Sequence, residues 1–298
     1  VTATSHASEL SPELQERYAR LQSALRGLGS VAVAFSGGVD STLVLKVALD
    51  SLGCERVVAV TGTSTSLARR ELAEAQALAR RLGAAHVLLE TGEFANDRYL
   101  SNPTDRCYFC KSTLYEHMTR FIRERQLAAI ANGVIADDLG DHRPGIRAAT
   151  EYGVRAPAAE AGMTKADIRA LSAYLGLPTA DKPASPCLSS RVPYGERITP
   201  EKLARIEAAE MFLRDEAGVR ECRVRHHGEL ARIEVPVQDL ARLVTDPLRS
   251  RLHARLLELG FRYVTVDVGG FRSGSLNEVI PLQIRALQAG SFQPPALP

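Results

Sequence analysis

Along the first half of the chain, short β-branched runs alternate with longer stretches of helical period. Val31–Phe35, Val57–Thr61, Ala85–Leu89 and Leu127–Ala131 have strand character, while Ser41–Ser51, Leu67–Leu82 and Lys111–Glu124 carry apolar residues at helical spacing. Strands separated by helices of this length predict a parallel sheet covered on both faces, the α/β class. In such sheets ligands lie beyond the C-terminal strand ends. That edge would gather Ser36, the turn beginning at Thr61, the turn at Glu90–Glu93 and the run Gly133–His142; Asp137–Gly145, too charged to be core, is read as an active-site loop, with a solvated connector as the alternative. Thr164, with Asp167 three residues on, predicts a capped helix start.

The pattern breaks at Thr179–Pro200, which holds Pro183, Pro186, Pro193 and Pro200 and little periodicity. Thr199 and Pro200 then predict a new helix, cap first and proline at the first position. Strands at Glu221–His226 and Leu230–Val235 are joined by a hairpin at His227-Gly228-Glu229, followed by a helix over Asp246–Leu259 and a strand over Arg262–Val268. This order predicts a second, smaller α+β domain, with a division into residues 1–186 and 187–298. Gln283–Gln293 is read as a short helix.

Chemistry concentrates first at Ser36-Gly37-Gly38-Val39-Asp40-Ser41-Thr42, between a buried strand and a helix start. A helix start offers unpaired amide N–H groups and the positive end of the helix dipole, a natural phosphate site. A Walker loop would carry Gly-Lys-Ser/Thr; here Asp40 stands in the turn, and an acid beside phosphates implies Mg²⁺. The stretch resembles the pyrophosphate loop (PP-loop) of the N-type ATP pyrophosphatases, which have an adenine nucleotide alpha hydrolase-like fold. The resemblance implies cleavage of ATP to AMP and pyrophosphate, with adenylylation of a substrate oxygen. Ser36, Gly37, Gly38, Asp40, Ser41, Thr42 and Thr61 are the expected nucleotide contacts. A ligand-free glycine turn is the bland alternative.

The five cysteines are Cys54, Cys107, Cys110, Cys187 and Cys222, an odd number that argues against a disulfide framework and for a reducing cytoplasm. Cys107 and Cys110, both expected in a loop, could share a metal with Cys187 as third ligand. An iron–sulfur cluster with one open iron, a zinc site, and a metal-free redox pair all fit these residues. Cys54 and Cys222 read as inert thiols. Lys182 and Arg191 flank Cys187 and would favour its thiolate. In the second domain Arg223 and Arg225 alternate along a strand and share a face, with Glu234 placed opposite Arg225. Arg272 and Ser273 follow a glycine pair, a combination that can cradle a phosphate monoester.

Charge narrows the partners. Thirty-seven basic against 35 acidic residues leave +2, which gives no footprint for nucleic acid or an anionic membrane. No apolar stretch approaches the ~18 residues of a membrane span, and Val1–Ser5 has no signal-peptide pattern.

Four stretches together resemble the LarE family of ATP-dependent sulfur transferases, which act in nickel-pincer nucleotide cofactor synthesis: Phe35–Lys46, Asp141–Gly145, Ser190–Gly195 and Asp267–Gly274. The resemblance spans about Leu25 to Gly290. It implies a substrate, pyridinium-3,5-biscarboxylic acid mononucleotide, whose carboxylates become acyl-adenylates and then thiocarboxylates. It places Lys111 near the nucleotide and Arg223 and Arg225, with Glu234 as acidic partner, at the substrate phosphate; Ser190, Arg191, Arg272 and Ser273 are the other expected substrate contacts. It implies a homohexamer. Sacrificial members surrender the sulfur of the cysteine matching Cys187. With Cys107 and Cys110 present, the chain resembles instead the three-cysteine subgroup, whose [4Fe–4S] cluster takes sulfide from a donor. The sequence leaves open cluster delivery, sacrifice of Cys187, and tRNA thiolation by a related PP-loop enzyme.

Overall fold

The structure, a computed structural model, describes residues 10–140, 144–272 and 276. Asp141, His142 and Arg143 of the expected active-site loop, Ser273, and the expected helix at Gln283–Gln293 lie outside the described residues.

The chain begins with α1 (Pro12–Gly27) and then winds β1 (Val31–Ala34), α2 (Val39–Leu52), β2 (Val57–Thr63), α3 (Arg69–Arg81), β3 (Ala85–Glu90), α4 (Asp97–Leu100), α5 (Arg106–Glu124) and β4 (Ala129–Ala131). Three further helices follow: α6 (Pro144–Glu151), α7 (Pro157–Glu160) and α8 (Lys165–Tyr174). The four strands form a parallel sheet in the order β3-β2-β1-β4. Alternate residues feed opposite faces, as the pleat requires. Val31, Val33, Val57 and Ala59 pack with α1, α2 and α8; Ala32, Val60 and Ile130 pack under α5 and α6. Helix α2 is apolar nearly all round, with Leu43, Val44, Leu45 and Val47 fully buried between sheet and outer helices. Each such side chain contributes roughly 1.5–3 kcal/mol, which fixes the start of α2 against the strand end.

A second sheet has its own core. It follows α9 (Pro200–Asp215) and contains β5 (Arg223–His227), β6 (Leu230–Glu234) and, after α10 (Val237–Leu243) and α11 (Leu248–Glu258), β7 (Tyr263–Val266). β5 and β6 are antiparallel, and β7 joins β6 in parallel. The hairpin is tighter than expected: His227 pairs with Leu230, leaving Gly228 and Glu229 as the loop, with Gly228 at φ +60°. Helix α10 was not anticipated, because seven residues give too little periodicity. Between the two sheets Tyr99, Leu188, Val192, Ile198, Leu203 and Ile206 form a small apolar cluster.

Candidate functional site

The strand order reverses between β1 and β4, and at that crevice sits the loop Ser36–Gly38, where open α/β sheets bind ligands. Two glycines make it. Gly37 has φ +70°, and a Cβ there would lie 3.1 Å from Ala75 of α3. Gly133, beyond β4, comes so near α2 that a Cβ would lie 2.7 Å from the Ser41 amide nitrogen. The hydroxyls brace the turn: Ser36 and Ser41 Oγ are 3.2 Å apart, and Thr42 Oγ1 donates to the Gly38 carbonyl at 2.7 Å. Among the described residues no side chain caps the first amides of α2, whose N-cap is Gly38, so donors remain for an anion. Asp40 is held at both carboxylate oxygens by Lys165 Nζ, at 2.7 and 2.8 Å. The Lys165 amide donates to Asp137 at 2.8 Å. Thr61 lies inside β2 rather than in a turn, and its buried hydroxyl donates to the Phe35 carbonyl at 2.6 Å, with His86 Nε2 at 2.8 Å.

The cysteine pair is not in a loop. Cys107 and Cys110 lie in the opening turns of α5, three apart and so on one helix face. Cys187 ends an extended run and begins a 3-10 turn, Leu188–Arg191. Three residues that the sequence reading passed over tie this turn to the cysteine helix. Arg106, 3% exposed, donates to the Ser189 carbonyl and to Asn102 Oδ1, each at 2.8 Å. Asn102, in the left-handed region at φ +54°, donates to the carbonyls of Val192 and Pro193. Tyr99 shares a 2.6 Å hydrogen bond with Ser189 Oγ. Arg106 Nη2 also reaches Cys107 Sγ at 3.8 Å. An arginine immediately before the first cysteine was the available signal.

The three thiols bear on the charge of the same neighbouring groups. Burial opposes the Lys111 ammonium, but Tyr115 and the thiols of Cys110, Cys107 and Cys187 raise its pKa. The Cys110 thiol is pushed up, first by burial and then by Glu93 and Cys187. Glu93 is buried among the hydroxyls of Ser64, Ser66 and Thr91. Among the described residues, no three His, Cys, Asp or Glu side chains are already gathered as a metal-ligand set. The three sulfurs supply soft donors suited to iron, at the C-terminal edge of the sheet.

The basic groups divide. Arg191 is 2% exposed and points inward: Nε and Nη2 bind the Glu210 carboxylate at 2.8 and 3.0 Å, and Nη1 donates to the carbonyls of Pro186 and Cys187 and to Ser190 Oγ. It shapes the Cys187 turn. Lys182 is likewise committed to Glu71 and Glu74, so neither cation is dedicated to the thiol. Glu234 is in register with Arg223, not Arg225; its carboxylate nevertheless receives Arg225 Nη2 at 2.7 Å and Arg232 at 3.0 Å. Arg225 also donates to the Ser190 carbonyl at 2.7 Å. Arg223 bonds the carbonyls of Cys222 and Ala184 and lies over the Phe271 ring. Burial and the nearby Arg191 lower its pKa to about 10. No carboxylate among the described residues forms an ion pair with it, a setting that favours an anionic ligand. Arg272 is exposed, near the Gly270 carbonyl and Asp267.

Known proteins agree with this architecture. The NAD synthase family profile matches residues 14–99. The chain is 46% identical over 267 residues to an uncharacterized protein of Synechocystis sp., across 90% of this chain and 99% of the relative. It is 41% identical over 268 residues to the pyridinium-3,5-bisthiocarboxylic acid mononucleotide synthase of Lactiplantibacillus plantarum, across 90% and 96%. A tRNA-specific 2-thiouridylase of Caulobacter sp. is 30% identical over 193 residues, but these cover only 52% of this chain and 47% of the relative. The full-length match, the parallel sheet and the glycine turn at its switch point lead to one conclusion: the chain belongs to the LarE family and is an enzyme of the PP-loop class.

Proposed function

We propose that the protein is an ATP-dependent sulfur transferase that converts the carboxylates of pyridinium-3,5-biscarboxylic acid mononucleotide to thiocarboxylates for nickel-pincer nucleotide synthesis. What carries the reading is the tethering of the Cys187 turn: Arg106 draws it to the cysteine helix, and Arg223 and Arg225 draw it to the second sheet. We further propose that residues 1–186 activate the substrate, that residues 187–298 bind it and assemble the hexamer, and that the protein works in the cytoplasm.

The uncapped amides of α2, with Ser36, Gly37, Gly38, Ser41 and Thr42, hold the triphosphate. Asp40 is the residue that would hold Mg²⁺, which when bound offsets phosphate charge. Lys111 and Lys165 supply cations beside the α-phosphate. A substrate carboxylate oxygen attacks that phosphorus and pyrophosphate leaves. Sulfur then attacks the acyl carbon and AMP leaves, giving the thiocarboxylate. Arg223 and Arg225 hold the substrate phosphate, with Glu234 fixing the orientation of Arg225; Ser190 and Arg272 border the same site. Cys107, Cys110 and Cys187 are the residues that would hold a [4Fe–4S] cluster, which when bound supplies an open iron for sulfide. The +2 net charge and the half-length match to the thiouridylase favour this small substrate over tRNA.

The test is anaerobic reconstitution with iron and sulfide counted per chain, then pyrophosphate release with and without the pyridinium substrate, then the protein's mass after turnover. Substrate-dependent release, with iron bound and no mass change, is the expected result. Loss of one sulfur from the protein would replace cluster delivery with sacrifice of Cys187. Absence of substrate-dependent release would overturn the function.

A further inference from the structure

Five residues before Cys187, the chain reaches back to the nucleotide loop. Lys182 Nζ lies 3.2 Å from the Gly37 carbonyl oxygen, 2.9 Å from one Glu71 oxygen and 3.0 Å from a Glu74 oxygen. The other Glu71 oxygen accepts Ser185 Oγ at 2.8 Å. Glu71 therefore brackets the run 182–185 from α3, one carboxylate oxygen at each end. The same helix supports the loop, because Gly37 packs on Ala75, one turn beyond Glu71. The run has little slack. Arg169 holds the carbonyls of Ala180 and Lys182, Arg223 holds that of Ala184, and the Leu188 amide donates to the Ser66 carbonyl at 2.8 Å. Burial opposes the Lys182 charge, but Glu71 and Glu74 outweigh it and raise the pKa, so the ammonium persists.

We propose that Lys182 is a positioning residue that couples the nucleotide loop to Cys187. The Gly37 carbonyl belongs to the loop that must accommodate the triphosphate, and a shift there is carried by the Lys182–Glu71 bracket to the thiol turn. The inference rests on the reading that a nucleotide occupies this loop. Its chemical consequence is timing. Sulfur is brought to the acyl carbon once the adenylate has formed; without the coupling, water attacks that carbon, AMP leaves and the carboxylate is regenerated.

The experiment measures thiocarboxylate formed per pyrophosphate released, in the reconstituted full-length protein, for wild type, K182M and K182R. K182M is expected to release pyrophosphate within about threefold of wild type but to form at least ~5-fold less product per pyrophosphate, and K182R to restore the ratio. In the apo protein, iodoacetamide labelling of Cys187, read by peptide mass, is expected to change at least ~3-fold on adding α,β-methylene-ATP in wild type and to lose that response in K182M. If K182M does not fold, E71Q must show the same two losses. An unchanged ratio together with an unchanged labelling response in these variants overturns the coupling. Failure of wild type to bind the analogue or release pyrophosphate removes the nucleotide reading itself and the coupling with it.

Discussion

His226 shows what one side chain can impose. It is buried against Phe261, and neither ring nitrogen has a hydrogen-bond partner among the described residues. Burial, then Lys202 and Arg205, lower its pKa; burial also leads the lowering at His86 and His227. The unfolded chain, with histidines near their ordinary value of about 6.5, therefore binds protons that the folded chain refuses. Stability is full above about pH 6.5 and falls as the pH drops below it. Thermal melts at pH 7 and pH 5 should show this loss, and His226→Leu should flatten it; an equally steep pH dependence in that variant would refute the assignment to His226. Asp40 is a different case, half-exposed and, among the described residues, ion-paired only with Lys165. Its pair contributes at most about 1 kcal/mol, so Asp40→Ala should melt within a few degrees of wild type while pyrophosphate release disappears. Retained release would remove Asp40 from the nucleotide chemistry. At this scale the sequence revealed the glycines, Asp40 and the cysteines, because each is an unusual residue in a legible turn. It did not reveal Arg106, Asn102 or Tyr99, whose partners are about 90 residues away.

At the scale of elements, β4 meets α2 through Gly133. Gly133→Ala would drive a methyl group into the Ser41 backbone, which cannot yield as a flexible side chain would. A loss of about 1–3 kcal/mol is expected, with weaker nucleotide binding in calorimetric titration because the first turn of α2 moves. Wild-type affinity in that variant would mean the loop does not depend on this contact. The cysteine helix and the Cys187 turn depend on Arg106 in the same way. Arg106→Leu strands the Ser189 carbonyl and Asn102 Oδ1, at roughly 1–3 kcal/mol each. Cross-linking of Cys107 to Cys187 by a short reagent carrying two thiol-reactive maleimide groups should fall with it. The strands and long helices were legible because their periodicity is strong. The start of α5 was misread because its first turn is Arg106-Cys-Tyr-Phe-Cys110, which looks like a metal loop in one dimension. Thr61 was misplaced because β2 runs two residues further than its apolar run.

Over the whole molecule, the two sheets have separate cores but are joined by buried polar contacts. Arg191 binds Glu210 of α9, while Arg223 and Arg225 grip carbonyls of the Cys187 segment. One calorimetric unfolding transition is therefore expected for wild type. Arg191→Met should cost close to 3 kcal/mol, the low end for a broken buried pair, since Arg214 still reaches Glu210 at 3.0 Å. The variant should separate the transition into two; a single sharp transition would show that the apolar cluster around Tyr99 and Leu203 joins the sheets unaided. Among the described residues no helix is long and apolar enough to cross a membrane. By itself the sequence determined the α/β class, the phosphate-sized turn and the family, since local periodicity and short contiguous motifs encode these. Tertiary structure alone decided that Arg191 turns inward, that Glu234 orients Arg225 from across the register, and that Lys182 reaches the nucleotide loop. Those outcomes depend on which distant carboxylates and carbonyls folding brings within about 3 Å, the range of a hydrogen bond, and no linear pattern records them.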